Sequence, residues 1–316
     1  MPYPHRYTAH SNQMEQTMII WRFTDGKLGH ENQTSGLVAA LGDRENVRVF
    51  DIRVDMLPSA RRLLLNALFR KKIKGFPAEL PDLLIGAGRK THIPMVIAKS
   101  QCGGKLVVLM RPSIPMRLFD LTVAPKHDNV PLRENVIESE GALNAIEFVE
   151  NKNKNIGLIL IGGESSHYRW DDTRIANQIK QITEQESEVD WTLTTSRRTP
   201  ANFLKLLREI QIEVVPFDET DNEWMARHYA QSGQIWVTPD SVSMVYEALS
   251  SGAVTNVFTL QSKKKQSRVI IGLDELINNG CVNTFDQWKL DPSIQKAPAF
   301  FNESARVADY ILEQLL

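Results

Sequence analysis

Residues 235–260, IWVTPDSVSMVYEALSSGAVTNVFTL, leave a folding chain few choices. Ile235, Trp236 and Val237 form a short β-branched and aromatic run, which Thr238-Pro239-Asp240-Ser241 ends with turn chemistry and an expected helix N-cap. Val242, Val245, Tyr246 and Leu249 then recur at helical spacing, Gly252 stops the helix, and Val254 to Leu260 is a second apolar run. Strand, loop, helix and strand in that order make a parallel crossover. Its loop lies at the carboxyl edge of the sheet, where helix N-terminal amides face a bound anion. Asp240, Ser241 and Ser243 are therefore candidate ligand residues, and Glu247 is a candidate acceptor for sugar or ribose hydroxyls. A plainer reading stands beside this one: a helix cap followed by a solvated glutamate.

The same unit recurs along the chain. Ile19 to Phe23 reads as a strand entering Thr24-Asp25-Gly26-Lys27-Leu28-Gly29-His30-Glu31-Asn32-Gln33, a glycine-containing loop ahead of a helix through Leu37 to Leu41. Val47 to Ile52 is a second strand, and Asp82 to Ile85 a third, ending in the small-residue turn Gly86-Ala87-Gly88-Arg89-Lys90-Thr91 before a helix over 94–99. Two more strands follow at 105–110 and 121–125. The chain turns polar between Ala142 and Asn155, and Asn151-Lys152-Asn153-Lys154-Asn155 has the composition of an exposed linker.

After it the pattern restarts. Ile156 to Ile161 leads into Gly162-Gly163-Glu164-Ser165-Ser166, and Trp191 to Thr195 leads into Ser196-Arg197-Arg198-Thr199-Pro200. Alternating strands and helices predict parallel sheets with right-handed crossovers. The expected organisation is a loose tail at 1–17, an α/β domain at 18–150, a second at 151–295 and a terminal helix at 296–316.

Composition narrows the function classes. With 42% hydrophobic and 24% charged residues and a formal charge of -1, the chain has no global attraction to nucleic acid. Cys102 and Cys281 are too few for a disulfide framework or a cysteine-based zinc site. Asp-x-Asp, HExxH, P-loop and GxSxG patterns are absent, so no bound metal is expected. The N-terminus has no signal-peptide core and no run is long enough to span a bilayer, which fits a cytoplasmic location. Residues 61–74 carry six cations and no acid among leucines, a pattern that suits peripheral contact with an anionic membrane or an amphipathic helix with a wet basic side equally well.

Taken together, six stretches resemble the mitochondrial fission ELM-type proteins and their bacterial relatives: DGKLGHENQ (25–33), PDLLIGAGRKT (81–91), LFDLTVAPKHD (118–128), IGGESSHYRWD (161–171), TTSRRTP (194–200) and VTPDSVSMVYEA (237–248). That family looks like the glycosyltransferases of the GT-B fold, so the resemblance implies α/β architecture with two Rossmann-like parallel-sheet domains and an interdomain cleft. Its bacterial members are assigned as glycosyltransferases by similarity, some are described as nucleoside-diphosphate-sugar epimerases, and the plant member is known for organelle division. The resemblance implies a nucleotide-sugar as substrate, with no separate cofactor, and a lipid-linked or glycan acceptor in cell-envelope glycan synthesis. A nucleotide-sugar epimerase and a non-catalytic scaffold are the alternatives.

Similarity to the peptidoglycan N-acetylglucosaminyltransferase assigns roles. The donor-helix acid that binds ribose would be Glu247, with Asp240, Ser241 and Ser243 beside the donor, and Leu28-Gly29-His30 resembles that enzyme's glycine-histidine loop. His30 is then the candidate base, with Asp25 and Glu31 as rivals. The substrate-binding set is Gly29, Asn32, Gln33, Gly86, Gly88, Arg89, Gly162, Gly163, Glu164, Ser165, Ser196, Arg197, Arg198, Thr199, Asp240, Ser241, Ser243 and Glu247. Without a metal, charge on a departing diphosphate has to be met by arginines and backbone amides, for which Arg197, Arg198 and the Gly162-Gly163 and Ser241-Ser243 loops are placed.

Overall fold

A computed structural model of the protein describes residues 17–59, 62, 63, 65, 73–263, 267–294 and 301–316. The expected tail, apart from residue 17, and most of the basic segment 61–74 lie outside the described residues, although Leu63 and Ile73 are buried beside Ile97. None of the described helices is long and apolar enough to cross a membrane.

The first sheet contains β1 (Met18–Thr24), β2 (Val47–Arg53), β3 (Leu83–Ala87), β4 (Lys105–Leu109), β5 (Leu121–Pro125) and β6 (Val136–Ser139), all parallel, in the order β2-β1-β3-β4-β5-β6. Strands covered on both faces read as unbroken apolar runs, and β3 and β5 are buried at every residue. The period of two then sorts the side chains. Ile20, Leu83, Ile85 and Val107 pack toward α1 (Leu28–Gly42) through Leu37 and Leu41, while Trp21, Leu84, Leu106 and Val108 pack toward α2 (His92–Cys102) through Met95 and Ala98.

The second sheet contains β7 (Asn153–Leu160), β8 (Asp190–Thr194), β9 (Glu213–Val215), β10 (Ser232–Val237), β11 (Val254–Val257) and β12 (Asn283–Thr284), again parallel, in the order β9-β8-β7-β10-β11-β12. Its helices include α3 (Asp172–Gln185), α4 (Asn222–Gln231), α5 (Val242–Ser250), α6 (Arg268–Asn278) and α7 (Phe285–Leu290). Ile175, Ile179 and Ile182 of α3 and Val245 and Leu249 of α5 share one core with Leu158, Leu160, Trp236 and Val237. Two sheets of this kind are the expected two-Rossmann, GT-B-like architecture.

Both strand orders reverse once. In the first sheet the chain steps outward from β1 to β2 and then returns to β3 on the other side of β1; in the second, β7 is flanked by β8 on one side and β10 on the other. Crossover helices diverge at such a point, so a crevice opens outside the strand carboxyl ends there. The relevant loops follow β1 and β3 in one sheet, and β7 and β10 in the other.

Of the polar stretch between Ala142 and Asn155, the first part is packed, while Asn151 and Asn153 to Asn155 are exposed as expected. Leu143 is buried, Asn144 donates to Ser250 Oγ at 3.0 Å, and its carbonyl accepts Ser304 Oγ at 2.7 Å. A Cβ on Gly36 would lie 2.2 Å from that carbonyl, and one on Gly141 2.3 Å from the Tyr246 ring. Glycine at these two positions lets α1 and α5 close on the crossing chain. Asn153 to Asn155 belong to β7, since strand pairing places no demand on the polarity of side chains that face solvent. The expected terminal helix is α8 (Glu303–Tyr310) continued by a π-turn over Ile311–Leu315, with residues 296–300 outside the described set. Val307, Ala308 and Ile311 return it to the core of the first sheet, and Arg44 pairs with Asp309.

Candidate functional site

The loop after β1 is shorter than expected. Leu28 to Gln33 form the first turns of α1, with the Lys27 carbonyl accepting from His30 and Glu31 amides at 2.9 and 3.0 Å. Gly29 is tolerated because it faces open space on the exposed outer side of that turn. Glu31 favours a helix start, where a carboxylate complements the helix dipole, and its Oε1 accepts the Gly26 amide at 3.1 Å. Gln33 is buried and turns its amide back to the Gly29 carbonyl at 3.3 Å, which leaves it facing its own helix.

Within this turn His30 Nδ1 lies 3.0 and 3.1 Å from the two carboxylate oxygens of Asp25. The Asp25 side chain is 1% exposed and that of His30 19%. A carboxylate only accepts, so Nδ1 carries the hydrogen and Nε2 is left as the basic nitrogen. Gly88, at φ +89°, presses its backbone on the pair, and a Cβ there would lie 2.2 Å from His30 Nδ1 and 2.9 Å from Asp25 Oδ2. Among the described residues, nothing beyond the local backbone comes within 4 Å of a Cβ built on Gly26 or Gly29. The dyad thus has a closed wall at Gly88, and the neighbouring Gly26 and Gly29 are uncrowded.

Gly86 has a different reason to be glycine. A Cβ there would meet Met95 Sδ at 2.4 Å, so it serves the contact between β3 and α2 and does not make room for a ligand. Arg89 is exposed. His92, which the sequence did not single out, is buried behind the dyad, and its Nδ1 accepts the Ser113 amide at 3.3 Å. Burial and the neighbouring His30 push its pKa down to about 4, so it is neutral near pH 7.

At the second switch point the polar groups turn inward. Thr238 Oγ1 accepts the Gly162 amide at 2.7 Å, and Asp240 Oδ2 accepts the Gly163 amide at 3.0 Å. Arg198 Nη1 lies 2.7 Å from the same Asp240 oxygen, with the aspartate side chain 0% exposed and the arginine 43%. Ser196 Oγ donates to the Gly162 carbonyl at 2.7 Å, as does Thr199 Oγ1. Ser165 Oγ accepts the amides of His167 and Tyr168, and the Glu164 carbonyl accepts Arg198 Nη1 at 3.1 Å.

Three of the expected groups are already engaged within the protein or stand differently than expected. Asp240 does not stand open beside a ligand but lies buried against Gly162, where a Cβ would meet its oxygens at 2.3 and 2.5 Å. The Gly162 and Gly163 amides are likewise already bonded within the protein. Nor does Ser241 cap α5 with its side chain, since the loop uses its polar groups to tie β7, β8 and β10 together. Arg197 and Ser243 are exposed. An open recess of about 610 Å³, lined by Glu164, Ser165, Ser166, Arg169, Trp170 and Lys263, adjoins these loops. Among the described residues no hydrogen bond or ion pair links the Asp25–His30 cluster to the Asp240–Arg198 cluster. Nor do they include a group of three His, Cys, Asp or Glu placed to hold a metal ion.

Glu247 is not the solvated residue of the plainer reading. It is half-buried on α5, its Oε2 accepts the Tyr229 hydroxyl at 2.9 Å, and burial pushes its pKa up to about 7 despite that hydrogen bond. An unfolded glutamate titrates near 4.5, so between about pH 4.5 and 7 the folded state holds more protons and stability falls as pH rises. Glu247→Gln keeps an oxygen for Tyr229. It is expected to melt roughly 2–5 °C above the parent at pH 8 and to lose that advantage at pH 5, as read by thermal denaturation. An equal difference at both pH values would show that the carboxyl does not titrate in that window. At His92 the sign reverses: its folded pKa of about 4 lies below the ordinary 6.5, and stability is lost as pH falls through that interval.

The profile of the mitochondrial fission ELM1 family matches residues 28–315. An uncharacterized protein of Rickettsia prowazekii, RP120, is 23% identical, the match covering 76% of this chain and 83% of the relative. Among solved structures, the UDP-GlcNAc 2-epimerase of Neisseria meningitidis bound to UDP-GlcNAc is similar over 95% of this chain and all of its own, at TM-score 0.54 and 12% identity. The glycotransferase of kitacinnamycin matches 96% of this chain and all of its own at TM-score 0.55 and 11% identity. MurG of Acinetobacter baumannii matches 94% of this chain and all of its own at TM-score 0.50 and 12% identity. At such identities the likeness is one of fold.

Proposed function

The chain belongs to the mitochondrial fission ELM1 family, and from that membership and its two switch-point clusters we propose that it is a glycosyltransferase that moves a sugar from a nucleotide-activated donor to an acceptor hydroxyl. The observation that carries this reading is the Asp25–His30 dyad, whose imidazole is partly exposed while its carboxylate is buried. His30 Nε2 takes the proton of the acceptor hydroxyl as that oxygen attacks the anomeric carbon, and the nucleoside diphosphate departs with the bonding pair. Asp25 holds the ring in the required tautomer and stabilises the imidazolium that forms. Asp25 is therefore the orienting partner and Glu31 a loop brace, not rival bases.

The donor belongs at the second cluster. There the loop after β8 offers charge for the diphosphate through the exposed Arg197, and Glu247 accepts from ribose, consistent with the fold neighbour that holds UDP-GlcNAc. Glu247→Ala is expected to weaken nucleoside diphosphate binding by about 1.5–3 kcal/mol, the scale of a hydrogen bond to a charged group. Calorimetric titration of UDP and ADP reads the effect, and equal affinity in mutant and parent removes Glu247 from the ribose role.

The epimerase alternative uses the same nucleotide-sugar but no acceptor. Incubation with a panel of nucleotide-sugars separates the two: release of nucleoside diphosphate that depends on an added glycan or lipid-linked acceptor supports transfer, and conversion of the sugar with none added supports epimerisation. Neither outcome with any donor favours the scaffold.

A further inference from the structure

The sequence presents Arg197 and Arg198 as an equivalent pair, and the structure separates them. Arg198 is held from several sides. Its guanidinium meets Asp240 at 2.7 Å and the Glu164 carbonyl at 3.1 Å, and its amide donates to Ser196 Oγ at 3.2 Å. Its own carbonyl lies 2.1 Å from where a Gly163 Cβ would stand, so its backbone is part of the same tight junction. Among the described residues Asp240, with no exposed side-chain surface, has one other donor, the Gly163 amide, and its Oδ1 has no hydrogen-bond partner. Withdrawing Arg198 to meet a ligand phosphate would leave a buried carboxylate with a single amide, a strongly unfavourable state.

Arg198 and Asp240 together are electrically neutral toward a ligand. Arg197 stands next to them at the carboxyl end of β8, exposed, with no ion pair or hydrogen bond among the described residues. Its charge is free to meet an anion.

We infer that the two arginines have different roles: Arg198 is a positioning residue that binds Asp240 and locks the loops after β7, β8 and β10 together, and Arg197 is the side chain that contacts the ligand's phosphates. The inference rests on the proposed nucleotide-sugar function and names which residue meets the diphosphate. It also means that charge reaches the donor from an exposed guanidinium over a floor tied together by Arg198 and Asp240.

The test uses the full chain, with UDP, ADP and inorganic pyrophosphate as probes in calorimetric titrations at several salt concentrations. Arg197→Ala should keep the parent's melting temperature, lower affinity about 10–100-fold and flatten the salt dependence, since a charge contact is lost. Arg198→Met should lower the melting temperature, and adding Asp240→Asn should restore most of it by removing the stranded charge. In that double variant the affinity and its salt dependence should stay close to the parent's. Parent-like binding by Arg197→Ala, or loss of the salt dependence in the stabilised double variant, overturns the assignment while the function stands. A parent that binds none of the three probes overturns both.

Discussion

Replacing His30 by alanine is expected to slow sugar transfer about 10²–10⁴-fold while leaving nucleoside diphosphate affinity unchanged, because general base catalysis acts on the acceptor and not on the donor. The expectation follows from geometry: Nδ1 is committed to a buried carboxylate at 3.0 Å, which leaves Nε2 as the basic nitrogen of a partly exposed side chain. Asp25→Ala should lose a similar factor, and the double mutant little more than the worse single, since base and orienting group act as one unit. Initial rates with a matched donor and acceptor, beside donor titrations, provide the comparison. Near-parental turnover of His30→Ala would move the base elsewhere, and loss of nucleotide binding would make His30 a phosphate ligand.

Gly88→Ala is expected to reproduce much of that loss without touching either catalytic side chain. The residue sits at φ +89°, a conformation costing an L-residue roughly 1–3 kcal/mol, and the new methyl would lie 2.2 Å from His30 Nδ1. His30 is the more exposed partner, so it is the imidazole that yields, and the contact with Asp25 breaks. The turnover number should fall about 10²-fold or more with donor affinity retained, as for loss of the base itself. The imidazole Nδ1–H proton resonance reports the contact directly. A Gly88→Ala protein with normal turnover and an unchanged Nδ1–H signal would show that Gly88 shapes only the backbone.

The elements were legible where physics is local. Unbroken apolar strands such as 83–87 and 121–125 and the helical spacing at Val242, Val245, Tyr246 and Leu249 foretold the two sheets and their crossovers. The loops that carry polar residues were also legible, because turn chemistry marks strand ends. What those residues do was not. Gly29 reads as a loop residue although it sits in a helical turn, because a weak helix former is tolerated where nothing packs against it.

Asp240 reads as a cap or a ligand group, and only contacts 77 residues away in Gly163 and at Arg198 decide that it is a buried brace. His92 carries no periodic signal at all; its burial behind His30 depends on β1 and β3 lying side by side. The reversal of strand order, which brings the loops after β1 and β3 together, is a property of topology and leaves no mark on any single stretch.

Hydrogen exchange measured with and without saturating UDP or ADP tests the central claim most directly, since it reports both whether a nucleotide binds and where. Binding at the second switch point predicts slowed exchange in the loops at 161–165, 196–199 and 238–243 and the first turns of α5, with 83–87 in the first sheet unchanged. Unchanged exchange throughout, or protection confined to surfaces remote from those loops, would contradict the account.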